Sequence, residues 1–414
     1  MSTSRRTLLA AAAGLPLAQT ALSDSAPAAL RYDLGIAVIH EGWDGNKCYV
    51  HSRAGAIPPF TGGNQSRFPI VVMTTQKHFV RGNDIFDGLE DFRSPDLGRS
   101  WQGPVPHAGL QRRRMGPGIE VAPCDFTPQW HAATARLLGT GKTFWYKDNE
   151  QYRASPSDPI YAVYDTRRRT WSAWQRIKLP ALPKFKNCSA GCTQRFDLPS
   201  GDVLLPVYFR PQPANTDHRV TVLRCGFDGQ TLRYLEHGDE LELEPKQGDG
   251  LSEPSLTRFQ GRFYLTLRTV DRAYVTTSED GLHYAPLRPW RFDDGRELGS
   301  YNTQQHWVTH SEGLFLVYTR RGVNNDHVFR HRAPLLMARV DPQKLVVLRD
   351  SEQIIVPETG TRMGNFGVVH ISPLETWVIT TEWMQQPPPG GFEKYGSNNR
   401  IFCAKIKWNR VNRS

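Results

Sequence analysis

The chain has 414 residues, 39% hydrophobic and 22% charged, with 35 Gly, 30 Pro, 19 Phe, 14 Tyr and 11 Trp. That balance excludes disorder, collagen and coiled coil, and leaves enough chain for one large β domain rich in tight turns. Lys and Arg number 51 against 41 Asp and Glu, a net charge of +10; the longest basic runs are Arg112–Arg114 and Arg167–Arg169, so no nucleic-acid partner is expected. Scattered surface arginines, or an arginine-lined pocket for a carboxylate or sulfate, are the two readings left.

The N-terminus reads Ser4-Arg5-Arg6-Thr7-Leu8-Leu9, followed by Ala10–Ala13. An arginine pair ahead of a short, small-residue apolar stretch reads as a twin-arginine-type export signal over residues 1–28, cleaved near Ala21–Ala28. A periplasmic or secreted protein is expected, with residues 29–414 forming a single domain. No later apolar run approaches the roughly 20 residues that span a bilayer, so a soluble mature chain is expected. Six cysteines follow the leader; Cys188 and Cys192 are close enough for a small loop bridge, and buried free thiols are the alternative. No zinc-ribbon spacing, HExxH pair, phosphate-cradling glycine loop or Ser-His-Asp elbow is present, so neither metal nor cofactor is expected.

Period-two or continuous apolar patterns predict strands at Leu34–His40, Phe68–Thr75, Asp202–Phe209, His218–Cys225, Arg262–Thr269, Ala273–Thr277, Gly313–Thr319, Leu335–Val340, Trp377–Glu382 and Ile401–Trp408. No amphipathic helix is evident. A weak repeat accompanies them. Ser94-Pro95-Asp96-Leu97-Gly98-Arg99-Ser100-Trp101 is its fullest copy, Ser278–Tyr284 a shorter one, and Phe227–Leu232 and Tyr164–Trp171 are degenerate copies. The Asp can accept turn amides, Gly permits a positive φ, and the aromatic packs between sheets. Such units are hairpin staples with no catalytic role. Their spacing implies an all-β propeller of six blades, five or seven being the alternatives. The strands Leu34–His40 and Ile401–Trp408 are placed to close the ring by sharing a blade.

The S-x-D-x-G-x-x-W element resembles the Asp box of bacterial sialidases, and other residues extend the likeness over most of residues 60–385. Arg67-Phe68-Pro69 resembles that family's Arg-Ile-Pro motif. Asp84 lies in the interval that holds the family's acid/base, with Asp87 beside it. Glu253, then Arg268, then an Asp box follow in the family's order, and Arg332 resembles its third arginine. The resemblance implies Arg67, Arg268 and Arg332 clamping a sugar carboxylate, Asp84 as general acid/base, and Glu253 polarising a nucleophile. The family's nucleophile is a Tyr, whereas Gly364-Asn365-Phe366-Gly367 stands at that place. Tyr301, in a polar loop after Gly299, is the substitute, with Tyr395 second; Glu382 is positioned to orient an Arg or a water. The implied function is release of a terminal acidic sugar from a glycan. His131 and His306, in polar-aromatic settings, are candidate proton shuttles or substrate contacts, as is His78. They support two alternatives: a lyase acting on uronate glycans through His and Tyr, and a non-catalytic glycan-binding propeller.

Overall fold

A computed structural model describes residues 29–152, 156–211, 217–244 and 248–414. The export-signal reading of residues 1–28 lies outside them. Among the described residues the secondary structure is strand and short 3₁₀ turn, and no helix is long and apolar enough to cross a membrane.

The strands form six antiparallel sheets. Blade 1 runs Lys47–Ile57, Ile70–Phe79, Phe86–Ser94 and Gln102–Pro106; blade 2 is built on Ile119–His131, Arg136–Lys147 and Pro159–Asp165. Blade 3 holds Cys188–Ser189 and Phe196–Asp197 against Asp202–Phe209, Arg219–Phe227 and Leu232–His237. Blade 4 spans Ser252–Phe259 to Arg288–Pro289, and blade 5 His306–His310 to Gln353–Val356. Blade 6 takes Gly367–Ser372, Glu375–Thr381 and Ile401–Trp408, and its outer strand is Tyr32–His40 from the other end of the chain. Tyr32 pairs with Trp408 and His40 with Ile401, so chain ends share one sheet and the ring is closed by backbone hydrogen bonds.

Why a ring forms is visible in where the apolar faces go. Each sheet has two apolar faces, and each is buried against a neighbouring blade. One apolar cluster sits at each of the six blade junctions: Leu89 and Phe126 share one between blades 1 and 2, Leu138 and Leu205 one between 2 and 3, and Leu204 and Leu265 one between 3 and 4. Trp290 packs on Trp307 between blades 4 and 5, Val317 with Val378 between 5 and 6, and Met73 with Trp377 between 6 and 1. Two of the buried indole N–H groups tie neighbouring strands: Trp307 donates to the Ser255 carbonyl at 2.9 Å and Trp290 to Thr266 Oγ1 at 2.9 Å.

The repeat is a turn device. Asp96 Oδ1 accepts the amides of Arg99 and Ser100, and Asp280 Oδ1 those of Leu282 and His283. Asp165 and Asp228 repeat the pattern, and so does Asp341, a fifth copy whose sequence carries too little of the motif to stand out. All five close the link between third and fourth strands of blades 1 to 5. Blade 6 has no such link, because its fourth strand is the N-terminal one. All six cysteines are free and buried, so the Cys188–Cys192 bridge does not form.

Candidate functional site

A cavity of about 570 Å³ receives side chains from all six blades, a condition met only on the ring axis. Its lining is polar, with six Lys/Arg residues against four Asp/Glu.

The inner strands place these groups through a shared irregularity. The pairing of Lys47–Ile57, Ile119–His131 and Ser252–Phe259 with their neighbours slips at Val50/Arg53, Cys124/Thr127 and Ser252/Ser255. At each slip stands a non-glycine residue with left-handed backbone: His51 (φ 57), Asp125 (φ 50) and Glu253 (φ 47). Cys192 (φ 56) occupies the matching place between the two short inner strands of blade 3, and all four residues line the cavity. A bulge re-aims one side chain out of the pleat, and each left-handed residue costs about 1–3 kcal/mol. Strain of this kind persists where the surrounding packing holds it in place.

One wall is cationic. Glu253 holds Arg268 Nε at 2.8 Å, and Arg268 donates to Asn302 Oδ1 at 2.6 Å. The guanidinium of Arg332 donates to the backbone carbonyl of the same Asn302. The Arg332 carbonyl accepts the Met363 amide at 2.7 Å, which brings Arg362 alongside; a Cβ on Gly364 would lie 3.2 Å from the Arg332 stem and 2.4 Å from Thr303. Arg362 lies over the Trp383 ring at 4.0 Å and donates to Gln385 at 2.6 Å. Burial, with Arg268 and Arg362 as neighbouring charges, pushes Arg332 down to about 9; burial takes Arg362 down to about 10 against the opposing pull of Asp84. Three guanidiniums therefore crowd one wall, an arrangement that an anion relieves.

The other wall carries a buried charge network. Asp125 accepts from Lys142 at 3.1 Å and from the Cys192 thiol at 3.1 Å, with His51 Nδ1 at 3.2 Å and Arg53 at 3.9 Å. Burial opposes ionisation of Asp125, but His51, Lys142 and Arg53 more than offset it and hold the carboxyl far below its ordinary range. Burial takes His51 down to about 4, so the imidazole is neutral at pH 7. Lys142 also donates to the Tyr208 hydroxyl at 3.1 Å, and burial pushes that phenol up to about 12.

Of the residues singled out from sequence, Asp84, Glu253, Arg268 and Arg332 line this cavity together. The others do not line it. Arg67 is exposed and lies over its neighbour Phe68 at 4.9 Å, because the strand it was expected to lead is the second of blade 1, not the inner one. Asp87 pairs with Lys47 at 2.7 Å over a separate, shallower depression. Tyr301 turns its hydroxyl to His331 Nδ1 at 2.6 Å. Glu382 does orient an arginine, Arg400 at 2.7 Å, and accepts the amides of Asn398 and Arg400, but away from the cavity. His131 bridges Thr134 and the Gly201 carbonyl, His306 contacts Ser255 Oγ at 2.6 Å, and His78 lies 3.3 Å from the Asn83 carbonyl. Tyr395 stacks on His327, and Phe366 is fully buried between blades 5 and 6. His51, Asp125, Lys142, Cys192, Tyr208 and Arg362 were not anticipated. No group of three or more His, Cys, Asp or Glu side chains able to hold a metal ion occurs among the described residues.

A scan of family models and a search of curated proteins gave no match. Solved structures do match. A protein of unknown function from Dyadobacter fermentans is 12% identical, covers 91% of this chain and 99% of its own, and superposes with a TM-score of 0.57. The Hadza microbial sialidase Hz136 is 12% identical over 90% of this chain and 68% of its own, with a TM-score of 0.59. Trypanosoma rangeli sialidase is 14% identical over 86% of this chain, with a TM-score of 0.55; this chain spans 55% of that enzyme's length. The fold is thus the sialidase-type β-propeller.

Proposed function

We propose that this chain is an exported glycan-processing enzyme that hydrolyses a terminal carboxylated sugar from its glycan within the axial cavity. Arg268, Arg332 and Arg362 hold the carboxylate, with Arg362 in the place first given to Arg67. Asp84 protonates the departing glycosidic oxygen, and Glu253, steadied by Arg268, orients the attacking water. The leader with Arg5-Arg6 carries the protein to the periplasm or beyond, where such glycans are met.

One observation carries this reading. Three guanidiniums from separate segments converge on a cavity that Asp84 and Glu253 also line, and a bidentate anion is the ligand that such a wall favours. The Trypanosoma rangeli sialidase, similar in fold at a TM-score of 0.56, was solved in complex with sialic acid, which supports an acidic sugar. Mass spectrometry of products from sialylated and uronate-containing glycans tests the proposal. Release of an acidic monosaccharide, with total mass raised by one water, is expected. Binding without product would leave a lectin-like propeller, and acidic glycans neither bound nor altered would remove the carboxylate assignment itself.

A further inference from the structure

The network opposite the arginine wall is not used by hydrolysis. It is a chain of four cavity-lining side chains: His51 Nδ1 to Asp125 Oδ1 at 3.2 Å, Asp125 Oδ2 to Lys142 Nζ at 3.1 Å, and Lys142 Nζ to Tyr208 Oη at 3.1 Å. Each is held within the ring, and two of them, His51 and Asp125, sit on strained left-handed backbone. A purely structural ion pair needs only Asp125 and Lys142. The chain instead ends at both extremities in a group that exchanges protons, an imidazole in blade 1 and a phenol in blade 3. The far ring nitrogen, Nε2, meets Asn365 Nδ2 at 2.8 Å, on the side where Asn365 also lines the cavity. With Nδ1 directed at Asp125, Nε2 is the lone-pair nitrogen.

We propose that His51 and Tyr208 form a second acid–base pair, and that it cleaves 4-linked uronate chains by β-elimination. The inference rests on the reading that the arginine wall holds a carboxylate. A guanidinium-bound carboxylate acidifies the hydrogen on the adjacent carbon, C5 of a uronate. His51 Nε2 displaces its Asn365 contact and takes that proton. The C–H electron pair becomes the C4–C5 double bond, and the C4–O4 bond breaks. O4 takes the proton of the Tyr208 hydroxyl. Asp125 stabilises the imidazolium and the Lys142 ammonium stabilises the phenolate. After the product leaves, His51 Nε2 loses its proton to solvent and the Tyr208 phenolate takes one from solvent, which resets both ends. No nucleophile is required, which suits a chain in which a buried Phe366 stands where the resemblance expects a Tyr. Asp125 and Lys142 are positioning residues in this scheme.

The test uses the mature protein with a 4-linked hexuronate oligosaccharide in deuterated buffer. Products with an unsaturated, ultraviolet-absorbing end and no added water are expected. Tyr208→Phe is expected to lower cleavage by about 100-fold or more, the usual contribution of a positioned acid. The same variant continues to exchange the C5 hydrogen for deuterium, because His51 still removes it. His51→Gln loses both cleavage and exchange while retaining uronate binding by titration calorimetry. A wild-type protein that binds the oligosaccharide but gives no unsaturated end overturns the proposal, as does a Tyr208→Phe variant that cleaves at the wild-type rate. Absence of uronate binding overturns the arginine-wall premise as well. Loss of sialoside hydrolysis alone touches only the hydrolytic reading.

Discussion

Replacing Asp125 by Asn asks how the ring tolerates charge at its centre. Asp125 is 4% exposed, and its carboxylate faces Lys142 at 3.1 Å, His51 at 3.2 Å and Arg53 at 3.9 Å. The amide keeps the shape but leaves two buried cations without a carboxylate. Removing one partner of a buried pair costs about 3–5 kcal/mol, far above the value of a surface pair. At about 2.1 cal/mol/K per residue, a folded body of roughly 390 residues has an unfolding entropy of about 0.8 kcal/mol/K, so Tm should fall by about 4–6 °C. Lys142→Met removes one cation while Arg53 and His51 still face the carboxylate, and a smaller fall is expected. Combining the two should cost less than their sum, since the double variant leaves fewer charges uncompensated; contacting residues couple by about 0.5–3 kcal/mol. Scanning calorimetry of the four proteins at one pH supplies every quantity. A Tm for Asp125→Asn within about 1 °C of wild type, or strict additivity in the double variant, would refute the argument that this network is held by mutual compensation.

Asp84→Asn is expected to slow hydrolysis by about 100-fold or more with binding of the acidic sugar retained, as judged by steady-state rates and calorimetry; an unchanged rate removes Asp84 from the acid role. Arg332→Lys keeps charge but loses the planar fork, and a charge-assisted hydrogen bond of about 1.5–3 kcal/mol should appear as roughly 10–100-fold weaker binding of a carboxylated sugar. Tyr301→Phe loses only the bond to His331, so turnover within about twofold of wild type is expected, and a collapse in rate would return Tyr301 to the reaction. Burial depresses His51 and His218 from 6.5 to about 4, and His78 and His306 to about 3. The unfolded chain therefore takes up protons below about pH 6.5 while the folded one does not until about pH 4. Stability is full above that window and is lost as pH falls through it. Tm measured from pH 7.5 to about pH 4.5 should decline, with a shallower slope in His306→Gln; a flat profile would contradict the burial of these rings.

What sequence reveals here divides along the direction from rim to axis. The outer parts obey local rules. Asp202–Phe209 and Ile401–Trp408 read as strands with their observed bounds, and Asp96 and Asp280 announce turns because their partners are amides two to four residues away. Glu253 and Arg268 were legible for a related reason: they flank one hairpin, whose own staple marks the place. The axis obeys no such rule. Lys47–Ile57 is buried along nearly its whole length between neighbouring blades, so no polar alternation marks it as a strand. Its bulge at His51, and those at Asp125 and Glu253, depend on partners in other blades. Polar loop composition likewise carried no direction: Tyr301 and Glu382 occupy polar surroundings and turn to His331 and Arg400. Arg67 and Arg362 differ only in which loop the ring folds inward.

These failures of local pattern have a common cause, and it is the one a function requires. A cavity that binds and transforms an anion needs charges desolvated together on an axis, and strands do not deliver charges to an axis while their pleat stays regular. The chain meets this by breaking the pleat at one residue in several blades, accepting strain at His51, Asp125, Cys192 and Glu253 that the six apolar junctions can support. Substituting Gly at residue 125 would relieve the left-handed strain yet remove the carboxylate, whereas Asn retains left-handed tolerance and shape. If Asp125→Gly proved as destabilised as Asp125→Asn, the loss of charge compensation would outweigh the relief of backbone strain. A Gly variant more stable than the Asn variant by about 1 kcal/mol or more would show instead that backbone strain at the axis is the larger burden the ring carries.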